Sequence, residues 1–181
     1  MTHSSIKEVE NWLDNVVIGL NLCPFAAKPR RLQQVHFDVF QGTKDAELLE
    51  HLHRALISLD EKKPEERETS IIIIENHLKD FDDYNQFLDY ADGLLEQEGW
   101  AGEYQVASFH PAYQFADTYA DDSENLTNRA PFPLLHLIRE EQLEMAVEKY
   151  SQPELIPENN IKRMAELTLS EKKVLFPYLF N

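Results

Sequence analysis

A thiol, imidazoles, carboxylates and guanidiniums fall in two parts of this 181-residue chain, and their types bound the chemistry it can carry. Cys23, the single cysteine, stands in LCPFAAKPRR, just ahead of Lys28, Arg30 and Arg31. A thiolate there is a strong nucleophile if those cations lower its pKa. A helix C-terminus at the same point works the other way and favours a buried, inert thiol. The second part is Ser108 to Arg139, with two histidines, three aspartates, a glutamate, two arginines and three prolines. His110 directly follows an apolar strand pattern, a position suited to a general base or a metal ligand. It equally suits a ring whose nitrogens tie down the loop backbone. Asp117, Asp121, Asp122 and Glu124 offer hard oxygens for a divalent cation, with His110 as a further donor. Their spacing matches no established metal motif, and a solvated acidic loop with Asp117 at a turn is the alternative. Arg129 can clamp a carboxylate or phosphate with its forked guanidinium, with Asn128 beside it and Lys28 as a second cation, or it can pair with the acids of its own loop. His136 alternates with leucines, which reads as a packed strand position as readily as a ligand contact. His3, His36, His51, His53 and His77 fall in unremarkable settings, although the end of the strand before His77 would share a rim with His110 if the two strands run parallel.

These residues need elements to hold them. Ser5 to Leu22 is predicted as a helix, with a Ser5/Glu8 capping box, a stripe of Val9, Leu13, Val16, Val17 and Leu20, and Pro24 as its stop. Gln33 to Phe40 alternates as a strand. Thr43 caps a helix from about Asp45 to Leu59. Thr69 to Ile74, apolar on both faces, reads as a central strand. Asp80 to Gly99 is a helix with acids in its first turn. Glu103 to Phe109 and Leu134 to Ile138 are strands, and Glu140 to Tyr150 is a helix. Between Phe109 and Leu134 lie more than twenty residues without a period. A loop of that length is uncommon, and Tyr113, Phe115, Tyr119 and Phe132 can order it by burial, so it is expected to be ordered and site-forming. The order of elements predicts an α/β sandwich with a mixed sheet of about four strands, the last two flanking the long loop. Residues 1–152 form a single domain in this reading, and 153–181 form a tail ending in Phe176, Tyr178, Leu179 and Phe180, which docks on the domain or on a partner.

Composition narrows the function. A net charge of −16 disfavours nucleic acid and anionic membrane. One cysteine excludes an intramolecular disulfide and a cysteine-rich zinc cage. No apolar run reaches membrane-span length, and MTHSSIKEVE lacks the layout of a signal peptide, so a cytoplasmic protein is expected. Five glycines leave no room for a Rossmann or P-loop pattern. Composition leaves the cofactor, a metal included, undetermined.

VVIGLNLCPFA with its trailing Lys28 and Pro29, DYNQFLD, YQVASFHPAYQFAD and ENLTNRAPFPLLHLIRE together resemble the bacterial domain-of-unknown-function family 1415, over roughly residues 5 to 160. The resemblance implies a small stand-alone cytoplasmic protein and implies no activity. Three readings therefore stand. The first is a small enzyme acting on an anionic small molecule at the 108–139 loop, with His110 as acid/base, Cys23 as nucleophile or as a wall of the pocket, Asp117 at the reacting centre, and Arg129, Asn128, Lys28 and His136 contacting the substrate. The second is a divalent-metal-binding protein using His110 and the loop carboxylates. The third is a non-catalytic interaction module in which the long loop and the aromatic tail dock a protein partner, a second copy of the chain through that tail among them.

Overall fold

The structure is a computed structural model that describes residues 4–180; His3 lies outside them. Four strands form one sheet: β1 (Val35–Phe40), β2 (Thr69–Ile74), β3 (Tyr104–Phe109) and β4 (Leu134–Arg139), in the order β1-β2-β4-β3. β1 and β2 are parallel, and β4 runs antiparallel to both of its neighbours. β2 and β3 therefore point the same way with β4 between them. The isoleucine run is central, as its two-sided apolar pattern requires: Ile72 and Ile74 enter one core, Ile71 and Ile73 the other. Burial of each contributes about 1.5–3 kcal/mol.

The helices are α1 (Ser4–Trp12), α2 (Ala27–Arg31), α3 (Asp45–Asp60), α4 (Phe81–Gln97), α5 (Glu140–Glu148), α6 (Ile156–Glu166) and α7 (Leu169–Leu175). Leu48, Leu52, Leu56 and Leu59 of α3 and Tyr84, Phe87, Ala91 and Leu95 of α4 cover one face of the sheet. Val9 and Trp12 of α1, Met164 of α6, and Leu167 and Phe176 beside α7 cover the other. The result is the expected α/β sandwich with a mixed four-stranded sheet, layered helix–sheet–helix. Among the described residues no helix is long and apolar enough to cross a membrane.

Three local details differ from the sequence reading. Ser5 is inside α1 and donates its hydroxyl to Glu75, while Ser4 bonds Glu8, so no Ser5 capping box forms. The N-terminal helix also does not stay α: Leu13–Ile18 widens into a π-helix, with Gly19 N–H donating to Asp14 and Leu22 N–H to Val17, five residues back. A Cβ on Gly19 would overlap the Asn15 carbonyl oxygen, so only glycine closes this turn. Asn21, in the left-handed region at φ 56°, then ends it. Thr43 caps nothing; Lys44 takes the position before α3 without a side-chain bond. At the other end of α3 the Arg139 guanidinium, from across the fold, donates to the Leu59 carbonyl of the last turn and to the Lys62 carbonyl just beyond the helix.

The C-terminal stretch lies on the second core. Phe176 is fully buried, the Tyr178 hydroxyl donates to the Arg129 carbonyl at 2.8 Å, and Asn160 donates to the Leu22 carbonyl at 2.8 Å. Of the tail aromatics only Phe180 is well exposed, at 43%. Thr168 and Glu171 form a reciprocal capping box at the start of α7.

Candidate functional site

The long loop after β3 is ordered by its own polar side chains. His110 is 1% exposed, packed on the rings of Phe81 and Tyr84. The Ala112 N–H donates to its Nδ1 at 3.0 Å, which fixes the proton on Nε2, and Nε2 donates to the Leu78 carbonyl at 3.0 Å. Burial lowers its pKa, against the Leu78 bond and the charge of Asp80, so the ring is neutral. Asn125 is fully buried; its Oδ1 accepts from the Phe115 N–H at 2.9 Å and the Thr118 hydroxyl at 3.0 Å, and its Nδ2 donates to the Tyr119 carbonyl at 2.7 Å. Arg129 donates Nε to the Tyr113 carbonyl at 3.1 Å and Nη2 to the Ala120 carbonyl at 2.6 Å. Its partners are carbonyls rather than the loop acids. Asn128 closes the base of the loop, accepting the His110 N–H on its carbonyl and donating to the Ser108 carbonyl. At the mouth, the Tyr84 hydroxyl joins two paired residues, accepting from the Phe109 N–H at 3.1 Å and donating to the Leu134 carbonyl at 2.6 Å.

His110 does join the rims of β2 and β3, which run the same way, but the meeting is with a backbone carbonyl. Asn76 and His77 turn to the β1 side instead, to the Gln41 carbonyl and to Asp45 at 2.6 Å. Asp117 is exposed at a turn with φ 62°. Among the described residues no three His, Cys, Asp or Glu side chains group where they could hold a metal ion.

Of the site residues expected from sequence, those that line a cleft, Cys23, His136 and Asn128, do so on the sheet face opposite α3. The π-helix and the Pro24 corner deliver Cys23 to the wall between two clefts. The first encloses about 90 Å³; Cys23, Phe25, Ile71, Thr69 and His136 line it, with Leu143 and Ala146 of α5 opposite and Glu68, Arg139 and Gln142 beside them. The second encloses about 380 Å³, between Cys23, Phe109, Phe115 and Asn128 on one side and Ile156, Pro157 and Asn160 of α6 on the other. Cys23 thus shares one cleft with His136 and the other with Asn128. His110, Arg129, Asp117 and Lys28 line neither.

Burial raises the Cys23 pKa, against hydrogen bonds from Phe25 and Ala26. The basic run does not reverse this. Arg30 is spent on Asp14 and Glu10 at 2.8 and 2.9 Å, and Lys28 and Arg31 are exposed. His136 sits with Nε2 2.6 Å from the Thr69 hydroxyl, and that hydroxyl donates to the Leu137 carbonyl. Its proton being committed, Nε2 is the donor and Nδ1 keeps a free lone pair. Burial pushes the His136 pKa down to about 4. Burial also raises the Glu68 pKa, against the charges of Lys28 and Arg139. The Nε of Arg139 is buried with no partner among the described residues. The cleft therefore offers an uncharged thiol, a neutral imidazole with an open acceptor and a carboxyl of raised pKa on apolar walls. That set can orient a small molecule and exchange a proton with it.

Glu68, Thr69 and Asn125 were not candidates from sequence. Thr69 was visible as the first of two hydroxyls, with Ser70, that open an apolar strand. Nothing in the polar connection before it distinguishes Glu68.

A layered α/β protein with a small apolar cleft on one sheet face, bordered by thiol, imidazole and carboxyl groups, is the class that fold and site define. Comparison with protein families places the chain within one of them. It belongs to the family described as protein of unknown function (DUF1415), whose model matches residues 4–174. Comparison with curated proteins and with solved structures found no match.

Proposed function

We propose that this protein is a small cytoplasmic enzyme whose reaction takes place in the cleft between Cys23 and His136. The observation that carries the reading is that Cys23, His136 and Glu68, far apart in sequence, line one cleft. Its substrate has a compact apolar body, matched by Phe25, Ile71, Ile138 and Leu143, and one hydrogen-bonding head. The head donates to Nδ1 of His136, and Glu68 gives or takes the proton. Cys23 is the wall against which the substrate lies, since a thiol of raised pKa is a poor nucleophile at neutral pH. Arg139 is the one Lys or Arg among the lining residues, and Glu68 faces its charge. The head is therefore neutral or a weak acid rather than a phosphate. The loop of His110, Asn125 and Arg129 holds the frame around the cleft and does not touch substrate. The lone cysteine supports the cytoplasmic location.

The test is protection of Cys23. Alkylation by iodoacetamide is followed by mass spectrometry in the presence of a panel of small apolar alcohols, amides and acids. Some members slow alkylation of the native chain, and an Ala146→Phe variant, with the cleft filled, loses that protection. If no member slows it, or if protection is equal in Ala146→Phe, the cleft is not the substrate site.

A further inference from the structure

A second constellation lies on the opposite face, at the β1 edge. His36 and Ser70 are partners in the β1–β2 ladder, and alternation puts them, with Asp38, on the face that α3 covers. From α3 come His51, Arg54 and Ser58, on one stripe of the helix. Arg67, just before β2, closes the end by donating to the Ser58 hydroxyl at 3.0 Å. These side chains enclose about 250 Å³. The segment entering β2 serves both faces: Glu68 and Thr69 line the Cys23 cleft, Arg67 and Ser70 this one.

We propose that this pocket is a binding site for the oxyanion head of a phosphate-bearing small molecule. The observation that asks for a ligand is Ser70. It is 1% exposed, lines the pocket, and its hydroxyl has no partner among the described residues. Native interiors rarely leave such a group unbonded, and a ligand oxygen satisfies it. The rest of the lining says what kind of ligand. In a chain of net charge −16, two guanidiniums and two imidazoles face a single lining carboxylate. That carboxylate, Asp38, is committed to His51 at 2.8 Å and to the Val39 N–H at 2.9 Å. The Glu50 partner of Arg54 forms an exposed pair one helical turn away, which is weak and yields to a better anion. Forked guanidiniums with two hydroxyls on different elements present more donors, in more directions, than the two oxygens of a carboxylate accept. They suit a tetrahedral oxyanion. Burial and the charge of Arg67 hold the His36 pKa down, while Asp38 opposes them; Arg54 and His51 are the other ionisable groups facing the pocket. A bound dianion works in Asp38's direction and raises it.

The experiment is a titration of the full-length protein with inorganic phosphate and with a small phosphate monoester, at ionic strength matched by chloride. The His36 imidazole is followed by NMR. Saturable binding is expected, with the His36 titration midpoint moving up. Arg67→Gln and Ser70→Ala weaken binding tenfold or more. Ser70→Ala removes only an unbonded hydroxyl, so its melting temperature stays equal to the native value or rises, and loss of binding there is not loss of fold. An unsaturable shift, a shift reproduced by chloride, or equal binding by Ser70→Ala overturns the site. Acetate binding as tightly as phosphate overturns the phosphate assignment. None of these outcomes depends on the Cys23 cleft.

Discussion

Nε2 of His136 lies 2.6 Å from the Thr69 hydroxyl, and that hydroxyl is itself committed to the Leu137 carbonyl. The chain His136–Thr69–Leu137 crosses from β4 to β2 and back to β4, so one side-chain bond fixes the imidazole tautomer where the two strands pair. A neutral ring is thereby held on the wall of an apolar cleft.

Acid should expose the energetic consequence. Folded His136 has its pKa pushed down to about 4, whereas the unfolded ring keeps a value of about 6.5. Between those values the unfolded chain binds more protons, so stability rises with pH and is lost on acidification through the window. The full loss below pH 4 is about 3 kcal/mol from this residue alone. His36 and His110, also shifted down by burial, act with the same sign. Asp38, whose pKa His51 holds below the carboxylate range, acts at lower pH. Urea unfolding at pH 4, 5, 6 and 7 should show the slope, and His136→Leu should flatten it by about that amount. An NMR titration placing His136 near 6.5 would contradict this account.

Asn125 is the knot of the long loop. Asn125→Ala removes the acceptor of the Phe115 N–H and one of two bonds at both the Thr118 hydroxyl and the Tyr119 carbonyl, which keep the Phe115 carbonyl and the Asp122 N–H. The expected loss is about 2–4 kcal/mol, together with faster proteolysis between residues 112 and 122. Asn125→Asp keeps the acceptor but sets an anion against the Tyr119 carbonyl, so it should be worse at pH 7 than at pH 4. Equal loop protection in the native protein and in Asn125→Ala would remove Asn125 from this role.

How far these sites could be read from the chain follows from how local their causes are. The isoleucine run declares a central strand because its burial on both faces is written in consecutive residues. The stripe of Val9, Leu13 and Val16 declares a helix, but six residues of widened π turn leave apolar spacing nearly unchanged, so the widening is invisible without Gly19 in place. Cys23 and His136 are each conspicuous, yet their meeting depends on β4 entering the sheet between β2 and β3, which no local pattern specifies. His36 and His51 looked ordinary for the same reason: their pocket comes from pairing β1 with β2 and laying α3 across both. His110 invites a catalytic reading and Arg129 a substrate-binding one because a charged or titratable group in a long loop serves chemistry and loop-tying equally well. The structure engages their ring and guanidinium with backbone groups.

His110 can be separated from the cleft experimentally. His110→Ala leaves the Leu78 carbonyl and Ala112 N–H unbonded and opens a void against Phe81 and Tyr84. About 2–4 kcal/mol of stability should go. His110→Phe refills the ring volume and should recover part of it without restoring either bond. In native conditions neither change should alter the alkylation rate of Cys23, because His110 lines neither cleft. A large change in that rate would mean the histidine and the thiol communicate.

The thiol itself decides between a wall and a nucleophile. Burial raises its pKa, and the nearest guanidinium in sequence, Arg30, is held by Asp14 and Glu10. Reaction with iodoacetamide at pH 7.5 should therefore run below that of a free cysteine, because only the thiolate attacks. The rate should keep rising past the ordinary thiol pKa instead of levelling near neutrality. Substituting Arg30→Gln should leave the profile in place while loosening the α1–α2 contact. A profile levelling below pH 7 would mean a stabilised thiolate. It would return Cys23 to the reacting centre, with His136 as the nearest candidate to take its proton.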